Sequence, residues 1–210
     1  FIMTGGLLSG NKATDENGNG SKLGGAIYVK NGGKIKLGGS AVIEVKDDGN
    51  DIWLADRKTI TVTGTLTPGN NVKYTARITP ETYNVGTPLI TAEGGLTLED
   101  EVGKFCVTGN AVSDEWFITT EGKLSKPAAI SSLPPSTDFS IYPKLTVSSD
   151  DEINKLAELV NAENTMEGVT ITLQNDVTLG SMIGSSVKKF SGTFDGNGKT
   201  ITSTAGLNSI

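Results

Sequence analysis

The chain has 210 residues, a net charge of −6, 36% apolar residues, 6% aromatics and 27 glycines. Its lysines are scattered singly, which argues against a nucleic-acid-binding stripe, and it has no histidine, the commonest general base and transition-metal ligand. One cysteine, Cys106, forbids an intrachain disulfide, and no stretch reaches the length of a membrane span.

Phe1 to Ser9 matches Ile35 to Ile43 at an offset of 34: Phe1 with Ile35, Met3 with Leu37, Gly5 with Gly39, Leu8 with Val42. Asn11 to Lys22 is a polar Gly/Asn/Asp stretch, read as a loop thrown out from a corner. Within it Asp15, Asn17 and Asn19, followed by Gly20, match the first half of a calcium loop. Ala26 stands where such a loop needs a bidentate Glu, so a polar corner is expected, with calcium the lesser candidate.

From Gly24 to Leu66 the chain repeats. Ile27 and Ile52, Tyr28 and Trp53, Val29 and Leu54, Ile35 and Ile60, and Leu37 and Val62 are all 25 apart. Matched short apolar runs in a glycine-rich chain predict a solenoid of strands, each turn burying its inner face on its neighbours. A narrow stack of Val, Ile and Leu also suits the modest apolar content. Tyr28 and Trp53 are stacked by the period. On an outer face they would suit carbohydrate, on an inner face they would be core, and packing in the core or at an edge is the expectation. Asp47, Asp48 and Asp51 cluster in the next turn; a solvated turn is expected there, with a shared cation as the alternative.

After Leu66 the period fades and Pro68, Pro80 and Pro88 intervene. Strands are predicted at 72–78, 88–92, 103–108 and 116–120, as irregular or antiparallel cover for the open end of the stack. Cys106 lies in a strand-like run and reads as a buried, inert thiol. The first domain is thus 1–125, a β-helix with C-terminal capping strands. Residues 126–143, rich in Pro and Ser, read as a stiff linker.

Residues 144–210 read as the helix-capped, incomplete start of a second β-helix. Ser149 and Glu152 have capping-box spacing, and Ile153, Leu156, Ala157 and Val160 share one helical face. Strands follow at 169–173 and 177–179, then a strand, a tight Asp195-Gly196-Asn197-Gly198 turn, and another strand. Both ends of the chain fall within the pattern, so a fragment of a longer polypeptide is expected.

Gly24-Gly25-Ala26-Ile27, with Gly5-Gly6-Leu7-Leu8-Ser9-Gly10-Asn11 before it, resembles the Gly-Gly-Ala-Ile repeats of polymorphic outer-membrane proteins and related pectin-lyase-like β-helix surface proteins. Leu156-Ala157-Glu158-Leu159-Val160-Asn161, Thr170 to Val177 and Phe190 to Ile201 resemble the unit that opens a β-helix in large surface-anchored or secreted bacterial proteins, including those with the GLUG motif. The resemblance implies an all-β, right-handed parallel β-helix in a cell-surface, outer-membrane or secreted setting. Its implied role is adhesive or structural, with no catalytic residues carried over.

The expected function is therefore a non-catalytic adhesin-like or structural module, binding a host or matrix protein or a glycan, with no cofactor unless calcium. One alternative is a carbohydrate-active β-helix enzyme or its glycan-binding appendage. That chemistry needs carboxylate pairs or a basic residue on one face, and neither Arg57 nor Arg77 sits beside a carboxylate at repeat spacing. The other alternative is a fibre subunit that self-associates through its strand ends.

Overall fold

The computed structural model describes residues 1–14, 20–21, 24–45, 49–109, 115–133, 137, 139–162, 166–187 and 189–204, without the side chains of 20, 21 and 140. The chain divides into two compact units, Phe1–Ser125 and Lys126–Ile210. Both are strand-rich, with mainly parallel pairing and few helices.

The first unit runs β1 (Ile2–Leu8), β2 (Ala13–Thr14), β3 (Gly20–Ser21), β4 (Ile27–Val29), β5 (Ile35–Ile43), β6 (Ile52–Leu54) and β7 (Ile60–Leu66). It continues through β8 (Ala76–Pro80), β9 (Ile90–Ala92), the helical turn α1 (Glu99–Val102), β10 (Phe105–Val107), β11 (Phe117–Ile118) and β12 (Leu124–Ser125). Two parallel sheets take strands alternately, in the orders β1-β5-β7-β9 and β4-β6-β8-β10. Side chains alternate across each strand. Ile35, Leu37, Ile60 and Val62 from one sheet therefore meet Ile52, Leu54, Ile78 and Phe105 from the other in one buried core. Each such burial stabilises by roughly 1.5–3 kcal/mol.

The repeat is realised as register. Ile27 pairs with Ile52, Tyr28 with Trp53 and Val29 with Leu54, and Ile35 pairs with Ile60 and Leu37 with Val62. The match to β1 needs one correction. Met3 pairs with Leu37, but the register then shifts, so Gly5 meets Ser40 and Leu8 meets Ile43. The bulge falls where Gly39, at φ 56°, packs its bare Cα against the Thr4 carbonyl.

A second correction concerns 66–124. Parallel pairing does not end at Leu66: Ile52 pairs with Ile78, Ile60 with Ile90, and Phe105 with Ala76. Longer proline-bearing turns stretch the spacing and hide the period. Among the described strands of this stretch β11 and β12 pair antiparallel, and Pro88 and Lys123 form an isolated antiparallel bridge. Their turn closes on the segment before β9, with Leu89 N and Ile90 N both donating to Gly122 O, at 2.9 and 3.0 Å.

The second unit runs β13 (Ala128–Ala129), a 3-10 turn (Ile130–Ser132), another (Phe139–Ile141), β14 (Lys144–Val147), α2 (Asp150–Asn161), β15 (Thr170–Leu173), β16 (Val177–Leu179), β17 (Thr193–Asp195) and β18 (Ile201–Ser203). A parallel sheet orders β13-β14-β15-β17, and β16 pairs with β18. Ser149 caps α2, accepting from Glu152 N at 3.3 Å. The helix buries Ile153, Leu156, Ala157 and Val160.

The expected linker is also corrected. Residues 134–136 and 138 lie outside the described residues, but Ala128 and Ala129 pair with β14, and Ile130 and Leu133 are buried in the second unit's core. Two apolar side chains inside a Pro/Ser-rich composition dock the stretch.

Candidate functional site

Asn50 and Asp51, both buried, form the densest polar node of the first unit. Asp51 Oδ1 accepts from Gly24 N at 2.7 Å and Gly25 N at 3.1 Å, and Oδ2 accepts from the Thr79 hydroxyl. The Asp51 carbonyl accepts from Ala26 N and Ile27 N, each at 3.2 Å. Asn50 Nδ2 donates to Glu44 O at 2.6 Å and Leu8 O at 3.3 Å, while Oδ1 accepts from Asn11 N and Nδ2. Adjacent side chains thus tie successive passes of the chain together.

This node explains the Gly-Gly dipeptide. A Cβ on Gly25 would strike the Gly49 carbonyl and come within 2.8 Å of Asn11 O. One on Gly24, at φ 70°, would come within 2.9 Å of Trp53 Cβ and 3.0 Å of Tyr28 Cδ2. Glycine is required because backbone and ring approach this closely.

Of the calcium candidates, Asp15, Asn17, Asn19, Asp47 and Asp48 lie outside the described residues. Asp51 is described, and both its oxygens accept hydrogen bonds from protein donors. Among the described residues no group of three or more Asp, Glu or Cys is arranged to hold a metal ion. Among them, too, no helix is long and apolar enough to cross a membrane.

Tyr28 lies flat on Trp53, with ring centroids 4.3 Å apart and planes 7° from parallel. Their strand neighbours Val29, Ile52 and Leu54 point into the core, so the aromatic pair stands on the outer face. Trp53 is 8% exposed beneath Tyr28, which is 56% exposed. The expectation of core or edge packing therefore holds for Trp53 and not for the Tyr28 ring.

Three buried groups make polar contacts beyond those the sequence points to; capping-box spacing accounts for Glu152 only through Ser149. The Glu101 carboxylate, on α1, accepts from Leu66 N at 2.9 Å and pairs with Lys104 at 3.0 Å. Glu152 Oε2 accepts from Ser148 N at 2.7 Å, and Oε1 accepts from the Ser131 hydroxyl and backbone N–H. Burial alone would raise the Glu152 pKa; the Ser131 and Ser148 hydrogen bonds outweigh it and hold the carboxyl below its usual value. Thr79 joins Asp51 to the Thr108 hydroxyl, the latter at 2.7 Å. The Leu66–Glu101, Asp51–Thr79 and Ser131–Glu152 contacts span 35, 28 and 21 residues, separations that no local motif reveals.

Cys106 is half-buried. Burial pushes its thiol up to about 11, against the opposing pull of Arg77 and Lys73. It is a thiol, not a thiolate, at neutral pH. Asp56-Arg57-Lys58 forms a turn, with Arg57 at φ 61° and Lys58 N donating to Ala55 O at 3.0 Å.

In the second unit, corner side chains grip the backbone of neighbouring strands. Thr178 N donates to Asp150 Oδ1 at 2.6 Å, and Thr200 N to Asp176 Oδ1 at 2.8 Å. Asn175 Nδ2 donates to Ser148 O at 2.8 Å, and Asn197 Nδ2 to Leu173 O at 3.1 Å.

Comparison of the chain with family models, curated proteins and solved structures finds no match.

Proposed function

We propose that this chain is a non-catalytic, adhesin-like or structural module of a bacterial surface or secreted protein, built from two right-handed parallel β-helical parts. The observation that carries this reading is the use made of its buried carboxylates. Asp51, Glu101 and Glu152 each accept from backbone N–H groups of a distant segment. An acid or base in catalysis must instead reach a substrate proton. Support for the β-helical form comes from the alternation of strands between two parallel sheets and from the in-register apolar pairs. The surface setting rests on the resemblance of the Gly24-Gly25-Ala26-Ile27 run.

One observation favours a second reading, a glycan-binding appendage. The exposed Tyr28 ring, fixed from below by Trp53, is a flat apolar platform of the kind that stacks on a sugar ring. A glycan and matrix-protein binding array on the purified chain, with and without EDTA, tests both. Binding to matrix protein supports the adhesive module. Glycan binding lost in Tyr28→Ala supports the appendage. Shortened polysaccharide after incubation overturns the non-catalytic reading.

A further inference from the structure

We propose that Asn31 is a site of spontaneous deamidation, and that the fold withholds the same chemistry from Asn197. Both residues precede glycine, as Asn31-Gly32 and Asn197-Gly198. Both occupy exposed tight turns in the left-handed region, at φ 43° and 45°. Both turns close with the same bond, from Gly33 N to Lys30 O at 3.1 Å and from Lys199 N to Gly196 O at 2.7 Å. The asparagine φ values and closing bonds are thus alike, although Gly33 N also donates to Asn31 O, and the side-chain surroundings differ.

Asn197 is tethered. Its Nδ2 donates to Leu173 O at 3.1 Å, and its backbone N–H donates to Asp195 Oδ1 at 3.0 Å. To react, its side-chain amide must leave a neighbouring strand's carbonyl. The Asn31 side chain makes no hydrogen bond among the described residues. The following glycines are alike in having nothing within 4 Å of where a Cβ would stand, so the space around Gly32 and Gly198 does not separate the two sites. The glycines differ in φ: Gly198 sits at φ 70°, whereas Gly32 lies outside the left-handed region.

The reaction balances with water alone. The Gly32 nitrogen attacks Asn31 Cγ and forms a new N–C bond. The Cγ–Nδ2 bond breaks, and the amide nitrogen leaves as ammonia with the proton from Gly32. Water then opens the cyclic imide at either carbonyl, giving aspartate or isoaspartate. Either product adds a negative charge between Lys30 and Lys34, and isoaspartate lengthens the backbone in the corner joining β4 to β5.

The test is incubation of the whole chain at warm, mildly alkaline conditions, followed by proteolytic digestion and mass spectrometry, with enzymatic methylation of isoaspartate as a second readout. Asn31 is expected to convert several times faster than Asn197 in the folded chain. In strong urea the two rates should converge, since both are then bare Asn-Gly steps. Equal rates in the folded chain, faster loss at Asn197, or a difference that survives urea would each overturn the proposal.

Discussion

Trp53 is shielded from solvent by Tyr28, which covers it face to face at 4.3 Å. The two side chains therefore carry unequal stability although they pair in register. Trp53→Ala empties a packed site and should cost about 3–5 kcal/mol. Tyr28→Ala loses the stacking interaction, roughly 0.5–1.5 kcal/mol, and uncovers the indole. Urea unfolding measures the first effect, and acrylamide quenching of Trp53 fluorescence in a Trp116→Phe background reads the second. Equal destabilisation by the two substitutions would contradict the layering.

Asp51 is read as a brace and not a cation ligand. Asp51→Ala would leave the Gly24 and Gly25 amides and the Thr79 hydroxyl without their acceptor. Hydrogen bonds to a charged group contribute about 1.5–3 kcal/mol each, so the loss should be large. The wild-type unfolding midpoint should be the same with calcium or with EDTA. A calcium-dependent rise that vanishes in Asp51→Ala would return Asp51 to the list of ligands.

Gly122 sits at φ 76°, where an added Cβ would run into the Ile90 carbonyl. Gly122→Ala should destabilise the first unit by more than about 1 kcal/mol, because strain and collision act together. Gly69, with nothing within 4 Å of its Cβ position, is the control. Thermal unfolding of Gly122→Ala and Gly69→Ala side by side checks the contrast.

Glu152 gives the second unit an acid-sensitive contribution. Its folded pKa lies below its ordinary value. The stabilisation is therefore complete above the unfolded pKa, about 4.3, and is lost as pH falls through the folded value. Glu152→Gln should flatten that part of the stability-versus-pH curve. Hydrogen exchange of residues 128–133 under acid conditions is the local readout, because Ser131 is held by this carboxylate. An unchanged acid profile in the variant would remove Glu152 from the account.

The apolar repeat from Ile27 to Val62 was legible because each turn there places one residue opposite its counterpart 25 positions on. Where a bulge intervened, between Met3 and Gly5, the same reasoning slipped by one residue. A bulge leaves no mark on apolar periodicity. The strands β8 to β10 were predicted near their positions but as irregular or antiparallel cover and not as further parallel strands, since spacing was the only clue to partnership and it had lengthened. Ile130 and Leu133 were hidden by a composition typical of linkers. The face taken by Tyr28 was undecidable from alternation alone, which fixes opposite sides without saying which is wet. The Asp51 and Glu101 contacts reach 27 and 35 residues along the chain, beyond any local motif.

The corner side chains of the second unit have a consequence for how such a chain can change length. Asp150 and Asp176 each hold an amide in or just before a following strand, and Asn175 and Asn197 each hold a carbonyl in or just after a preceding one. An insertion of a few residues inside a strand would break several of these grips together. Changes of length are therefore expected in the turns between the gripping residues and not within the strands.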